Sequence, residues 1–378
     1  MIPSSIFYLI QSCNQKGGFL HMNRRSRQLL TFLLLVSLTG CNSFGPDGLK
    51  HSHPLYNEAL AQSMNEQILL NLVRQHYNDP TFFLDVINIA STMKFTVSGS
   101  AGGSSLGQTP MGAVGSASEY YTQPTISYAP MQGEEFVKSL LAPIDLEKLY
   151  RLMHSGWSLR RIFGICIERI NAIENAPTAS GPQPTHPPVN HEQFLRLIDL
   201  LELLHQHQAI RLDTDIKANQ TYLHLDTSRL PSETKQLQKL LELDMSLPRY
   251  RLGENILLYD DDLIVFHTRT MMGVFYYLSQ GIETPAEHLN DGIVKQTTYP
   301  DGRIYDWSQT SGGKMLRIHS SRHYPEHAFL AIHYRDYWFY IADADITSKA
   351  SFTLLTILFR LQSGAAKTNT PALTIPVR

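Results

Sequence analysis

The chain has 378 residues, a formal net charge of −2, 43% hydrophobic residues and 17% charged ones. That apolar share suits a globular protein with one large core or two ordinary ones. The near-zero charge excludes a broad electrostatic footprint for nucleic acid or for an anionic membrane surface. The 20 prolines, with a Gly/Ser-rich tract after residue 98, imply several breaks and one long loop.

From Met22 the order is a basic start (Arg24, Arg25, Arg27), a greasy run at 29–38 (LLTFLLLVSL) and a small-residue processing site. The run has signal-peptide length and is too short to span ~30 Å of hydrocarbon. The stretch Leu38-Thr39-Gly40-Cys41 resembles the bacterial lipobox: an aliphatic residue, two small or neutral ones, then the cysteine. The resemblance implies that the Cys41 thiol receives a diacylglyceryl group, that 22–40 are cut away as the signal peptide, and that acylated Cys41 holds the mature chain to a lipid bilayer. A thiolate is the side-chain nucleophile best suited to forming the thioether. Each buried CH₂ contributes roughly 0.8 kcal/mol, and two or more chains hold where one does not. The Arg24-Arg25 pair lacks the surroundings of a twin-arginine signal, so the general secretory route is expected. Residues 1–21 fit no part of this signal, and translation is expected to start at Met22. Asn42, not an aspartate, follows the cysteine. In lipoproteins of two-membrane bacteria this implies sorting to the outer membrane, on the leaflet facing the periplasm. Cleavage removes Cys13 and lipidation consumes Cys41, so Cys166 is the one remaining thiol. An internal disulfide cannot then form.

After a polar tether at 41–54, residues 55–77 place Leu60, Met64, Ile68 and Leu72 on one stripe, with Leu69 and Val73 beside it. Glu58, Glu66, Asn71 and Arg74 suit the opposite, polar side, and Asp79-Pro80 ends the helix. A strand-like stretch within 82–97, a Gly/Ser-rich loop at 98–118 and a strand at 120–128 read as a hairpin with an oversized tip. Helices follow at 133–141, 146–154 and 159–173. Residues 175–190 hold five prolines and no aliphatic run, and are read as a linker. Beyond it a helix is expected at 191–207, strands at 209–212 and 222–225, and a helix at 232–243. A strand pair about Asp260-Asp261-Asp262 (256–266) precedes a helix at 270–279. Strands at 315–319, 328–334 and 337–342 lead to an apolar helix at 348–361, and 365–378 form a flexible tail. The class is α+β: a helical region at 55–174 with a hairpin-like excursion, then a mixed α+β region at 191–364.

Few residues suggest chemistry. Residues 103–107 match G-x-S-x-G, but the Gly/Ser-rich flanks offer neither the strand nor the helix of a nucleophile elbow. His319, His323 and His327 are spaced four apart, as zinc ligands on one helix face would be, yet Pro325 interrupts them and no H-E-x-x-H pairs them with a base. Asp260-Asp261-Asp262, Asp343 and Asp345 could offer oxygen ligands but lack the calcium-loop pattern, and read as a polar turn and a helix cap. Cys166 lies on an apolar helix face and reads as a buried thiol. Residues 334–340 (YRDYWFY) place five aromatics in seven positions, so that Tyr334, Tyr337, Trp338 and Tyr340 are candidates for a partner surface, with core packing as the other reading. No catalytic residue and no cofactor is assigned.

The stretch 65–74 (NEQILLNLVR), with Tyr77, Asp79 and 82–86 (FFLDV), resembles a family of uncharacterised bacterial envelope lipoproteins, as do 124–141 and 337–364. The resemblance implies no activity and transfers no catalytic residue. The expected function is therefore a membrane-anchored periplasmic lipoprotein, a non-enzymatic structural or assembly component with an envelope protein as partner. An envelope hydrolase or metal-dependent enzyme using 319–333 is the alternative, and a ligand- or glycan-binding module a further one.

Overall fold

The computed structural model describes residues 44–102, 113–182, 184, 186–189, 191–215, 220–253, 260–364 and 373–376. Cys13, Cys41 and the lipobox lie outside the described residues, as does the G-x-S-x-G match. The chain divides into two compact units, 1–63 and 64–378. In the first, helix α1 (Phe44–His76) begins, and it runs on into the second. The polar tether expected up to residue 54 is thus helical from Phe44. Pro54 lies inside the helix, where it costs one backbone donor while its fixed φ still suits the helical backbone.

Within 64–378, α1 buries Ile68, Leu69, Leu72 and Val73, the side that the 3.6-residue period selects. Asn78 ends it in the left-handed region (φ 56°), and the Asp79 amide returns to the Arg74 carbonyl at 2.8 Å. Two long strands follow, β1 (Leu84–Gly102) and β2 (Ala113–Pro130), paired antiparallel from Leu84↔Pro130 to Gly102↔Ala113 with one bulge between Val86 and Asn88. The expected loop at 98–118 is therefore strand on both flanks. Glycine and serine have weak strand propensity, but ladder hydrogen bonds need no side chain, and 103–112 lie outside the described residues.

Helices α2 (Glu134–Leu141), α3 (Leu146–His154) and α4 (Leu159–Cys166) come next. The third stops short of the expected residue 173. From Ile167 the chain instead pairs with a distant strand, as β3 (Ile167–Ile170), and turns back as β4 (Ile173–Glu174). A 3₁₀ turn (Pro177–Ser180) leads to α5 (His191–Gln206), β5 (Ile210–Asp215), β6 (Gln220–Leu225), α6 (Pro231–Leu240), β7 (Arg249–Gly253), β8 (Leu263–Thr268) and α7 (Met271–Ser279). One six-stranded sheet, in the order β4-β3-β8-β7-β6-β5, is antiparallel except where β7 meets β8 in parallel. Of the strand pair expected at 256–266, residues 256–259 lie outside the described residues, and the second strand, β8, pairs in parallel with β7. Arg251 of β7 grips Asp262, with Nε to Oδ2 at 2.7 Å, and Asp260 at 2.8 Å, which fixes the approach to β8.

Helix α8 (Ala286–Asn290), a second 3₁₀ turn (Trp307–Gln309) and α9 (Ser311–Met315) precede β9 (His319–Ser321), β10 (Ala328–Tyr334), β11 (Tyr337–Ala342) and α10 (Ile346–Ser363). Residues 315–319, expected as a strand, are split between the end of α9 and the start of β9. Arg335 and Asp336, both with positive φ (47° and 65°), form the two-residue turn between β10 and β11. The Asp345 side chain caps α10 by accepting from the Ser348 amide. Part of the expected tail returns as β12 (Leu373–Pro376), paired with residues 125–128 of β2.

The fold is α+β. One continuous core joins α1, α2–α5, the six-stranded sheet, α7, β10, β11 and α10. Residues on both sides of the Pro-rich segment share that core and that sheet, so 175–190 is a crossing inside one unit and not a linker between two.

Candidate functional site

The base of the β1–β2 ribbon is held by two amide side chains of α1. Asn71 Nδ2 donates to the Phe82 carbonyl (2.8 Å), and its Oδ1 accepts from the Phe82 amide (2.9 Å). One helical turn earlier Gln67 does the same for Leu84, at 3.0 and 2.7 Å. Residues four apart on a helix lie about 6 Å apart, close to the spacing of alternate residues on a strand, so the two amides act as a surrogate edge strand. Asn71, read from the sequence as solvent-facing, is fully buried. The signal available in sequence was the Gln67/Asn71 spacing, one helical turn apart.

The aromatic hairpin divides between its two faces. Phe339 and Ile341 enter the core. Tyr334 donates to Asp79, and Arg335 reaches the same carboxylate at 2.8 Å while lying over the Tyr77 ring. Burial opposes ionisation of Asp79, but the hydrogen bonds from Tyr334 and Arg335 outweigh it and hold the carboxyl below the usual carboxylate range. The Tyr77 hydroxyl meets His288 Nδ1 at 2.6 Å. Tyr337 packs edge-on against His288 and donates to Glu287 at 3.1 Å. Tyr334 and Tyr337 are therefore committed to fastening the hairpin to α1 and α8. Trp338 and Tyr340 lie on the outer face, Trp338 against exposed Tyr324 and His333, Tyr340 against His319. Of the four partner candidates, these two are the ones left with an outward-facing surface.

The three spaced histidines do not meet. His319 is in an extended strand, where every second residue shares a face, and its Nδ1 sits 3.1 Å from Glu283 Oε2. His323 follows that strand, and His327 uses its carbonyl to accept from the Asp343 amide at 3.0 Å. Among the described residues no group of three His, Cys, Asp or Glu side chains converges as a metal site. Beside His319 opens a cleft of about 500 Å³ lined by Glu283, Thr284, Asp306, Trp307 and Arg317, with His76 at its wall. His76 lies between the Ser279 carbonyl (2.9 Å) and Thr284 Oγ1 (2.7 Å), and burial lowers it to about 4, so it is neutral at pH 7. A larger open cleft, about 860 Å³, runs between α5 and α6 past Arg196, Asp199, Glu233 and Lys239. Both clefts are lined by apolar residues together with polar ones of mixed charge, and in the smaller the Thr284 hydroxyl stands 2.7 Å from the neutral His76 imidazole.

The remaining candidates are structural. Asp343 pairs with Lys349 at 2.6 Å and Asp345 caps a helix. Cys166 is fully buried, and burial pushes its thiol up to about 12. The most elaborate polar cluster surrounds Arg269, which sequence reading did not single out. Its guanidinium is fully buried over the Tyr277 ring (4.0 Å) and donates to the Asn175 carbonyl and the Ser180 hydroxyl. Asn175 in turn accepts from the Tyr277 hydroxyl (2.9 Å) and donates to the Gly164 and Ile167 carbonyls. The same Tyr277 oxygen accepts from the Gly312 amide at 2.9 Å. A Cβ on Gly312 would lie 2.9 Å from that ring, and one on Gly313 only 2.2 Å from the Trp307 carbonyl, so this close approach requires both glycines. The cluster supplies donors to the Asn175 and Ala176 carbonyls and ties the start of the Pro-rich segment to α4, α7 and α9.

No family model, no curated protein and no solved structure matches this chain. Among the described residues no helix is long and apolar enough to cross a membrane.

Proposed function

We propose that the mature chain is a periplasm-facing lipoprotein, anchored through acylated Cys41 to the inner leaflet of the outer membrane, and that it works as a non-enzymatic envelope assembly component. The observation that carries the assembly role is the β1–β2 ribbon. Its base is fixed by the Gln67/Asn71 clamp and by β12, while beyond Thr125 it continues, among the described residues, as two strands. A long strand edge on a fixed mount presents a row of backbone donors and acceptors to another chain, which is a device for association rather than for chemistry. The anchor rests on the Leu38-Thr39-Gly40-Cys41 motif. Cells fed a labelled fatty acid will incorporate it into the wild type and not into Cys41→Ser; equal labelling of both removes the anchor. Crosslinking in intact cells will trap the chain with neighbours, and recovery of monomer alone removes the assembly role.

A further inference from the structure

Across an antiparallel ladder, directly paired residues lie on the same face, and that face alternates along each strand. The register of β1 with β2 places Met93, Phe95, Val97, Ala101, Val114 and Tyr120 at positions of one face, among the small hydroxyl residues Ser91, Ser116, Ser118 and Thr122. The two charged residues of 88–102 and 113–127, Lys94 and Glu119, both fall at positions of the other, with Thr92, Thr96 and Gln123. Within 91–102 and 113–124 charge is confined to one face, and of the larger apolar or aromatic residues Tyr121 alone shares that face, a bias that a ribbon lying in water on both sides does not need.

Residues 91–102 pair with 113–124; at roughly 3.3 Å per residue this stretch is ~40 Å long, and tilted by ~40° it spans ~30 Å, the thickness of a bilayer's hydrocarbon. Among the described strands, β1 pairs with β2 alone, and β12 covers β2 only over 125–128. An isolated two-stranded hairpin is marginal in water, and in lipid both of its edges would carry unsatisfied backbone groups. Another copy of this chain supplies a matching edge, β1 of one ribbon against β2 of the next, and that head-to-tail contact repeats until the ring closes.

We infer that residues 91–102 and 113–124 are a two-stranded segment of a transmembrane β-barrel built from several copies of this chain, with the Met93/Phe95/Val97 face toward lipid and the Lys94/Glu119 face toward the lumen. Eight strands are about the fewest that close such a barrel, which sets a minimum of roughly four copies. The inference rests on the anchored-lipoprotein reading only for delivery to the membrane.

The test uses the full chain, purified in detergent and reconstituted into vesicles of phosphatidylethanolamine and phosphatidylglycerol. Single cysteines at 92 to 97, introduced together with Cys13→Ser and Cys41→Ser, carry an environment-sensitive fluorophore; buried Cys166 stays in place. Labels at 93, 95 and 97 are expected to be quenched by nitroxides on the lipid tails, and labels at 92, 94 and 96 by aqueous iodide. The detergent-extracted particle is expected to have at least about four times the monomer mass. Val97→Arg should lower the assembled fraction at least tenfold and Thr96→Arg by no more than about twofold, with the thermal transition of 64–378 reporting that both variants fold. Quenching without a period of two, a monomeric particle, or equal loss in both arginine variants overturns the barrel. Detergent delivers the protein whether or not it is acylated, so failed lipid labelling of the wild type sinks the anchor and leaves the quenching pattern to decide the barrel.

Discussion

Asn71→Ala removes a buried amide whose two hydrogen bonds satisfy both backbone groups of Phe82. Leaving those groups unpaired is expected to cost about 2 kcal/mol in urea unfolding and to speed amide exchange over 82–86. A loss below ~0.5 kcal/mol would mean that water replaces the clamp. His191 supplies a pH prediction. Its Nε2 accepts from the Ser311 amide at 3.1 Å, and burial, then the charges of Arg269 and Lys314, lower it to about 4. His76 is lowered to a similar value by burial. Between pH ~6.5 and ~4 the unfolded chain binds these protons and the folded chain does not, so stability rises with pH across that window. It is complete above pH ~7 and lost as pH falls toward 4, by on the order of 2–3 kcal/mol for His191. Urea midpoints at pH 7.5 and 5 measure the slope, and His191→Gln should flatten it. Asn71, His191 and Arg269 were hard to find in sequence for one reason. A polar residue is read as exposed unless its partner is known, and each of their partners lies in a different element.

Elements were legible where a single period ran unbroken between clear stops. Helix α3 and strands β10 and β11 have the bounds expected of them. Asp345 was readable as the cap of α10, and Asp345→Ala should destabilise by about 1 kcal/mol, because the Ser348 amide and hydroxyl both donate to that carboxylate. Thermal unfolding of the variant measures it, and an unchanged midpoint would show that another group takes over the cap. Where local and long-range pairing competed, local pattern misled. The apolar run after Cys166 suits a helix as well as a strand, and pairing of Ile170 with Phe266 in β8 decided for the strand. The Gly/Ser-rich flanks of β1 and β2 have little intrinsic preference, so their pairing depends on the ladder as a whole.

At the scale of the unit 64–378, the Pro-rich segment is pinned through the carbonyls of Asn175 and Ala176 to Arg269. The two regions expected on either side of a linker should therefore unfold together. Calorimetry is expected to give one transition for this unit, and two resolved transitions would show that the halves fold apart. Arg269→Met, which removes the guanidinium donor from the Asn175 carbonyl and leaves that of Ala176 with the Ala179 amide, should lower that transition by several degrees while keeping it single. Local pattern along the chain was enough to indicate the α+β class and most helix stripes, because a cap or an amphipathic face is written within a dozen neighbouring residues. The tertiary structure alone decided that 175–190 joins rather than separates, that the spaced histidines do not meet, and that 98–102 and 113–118 pair as strands. Each of those outcomes depends on pairing between residues far apart in the chain, and the energy of such a pair is visible only when both partners are in place.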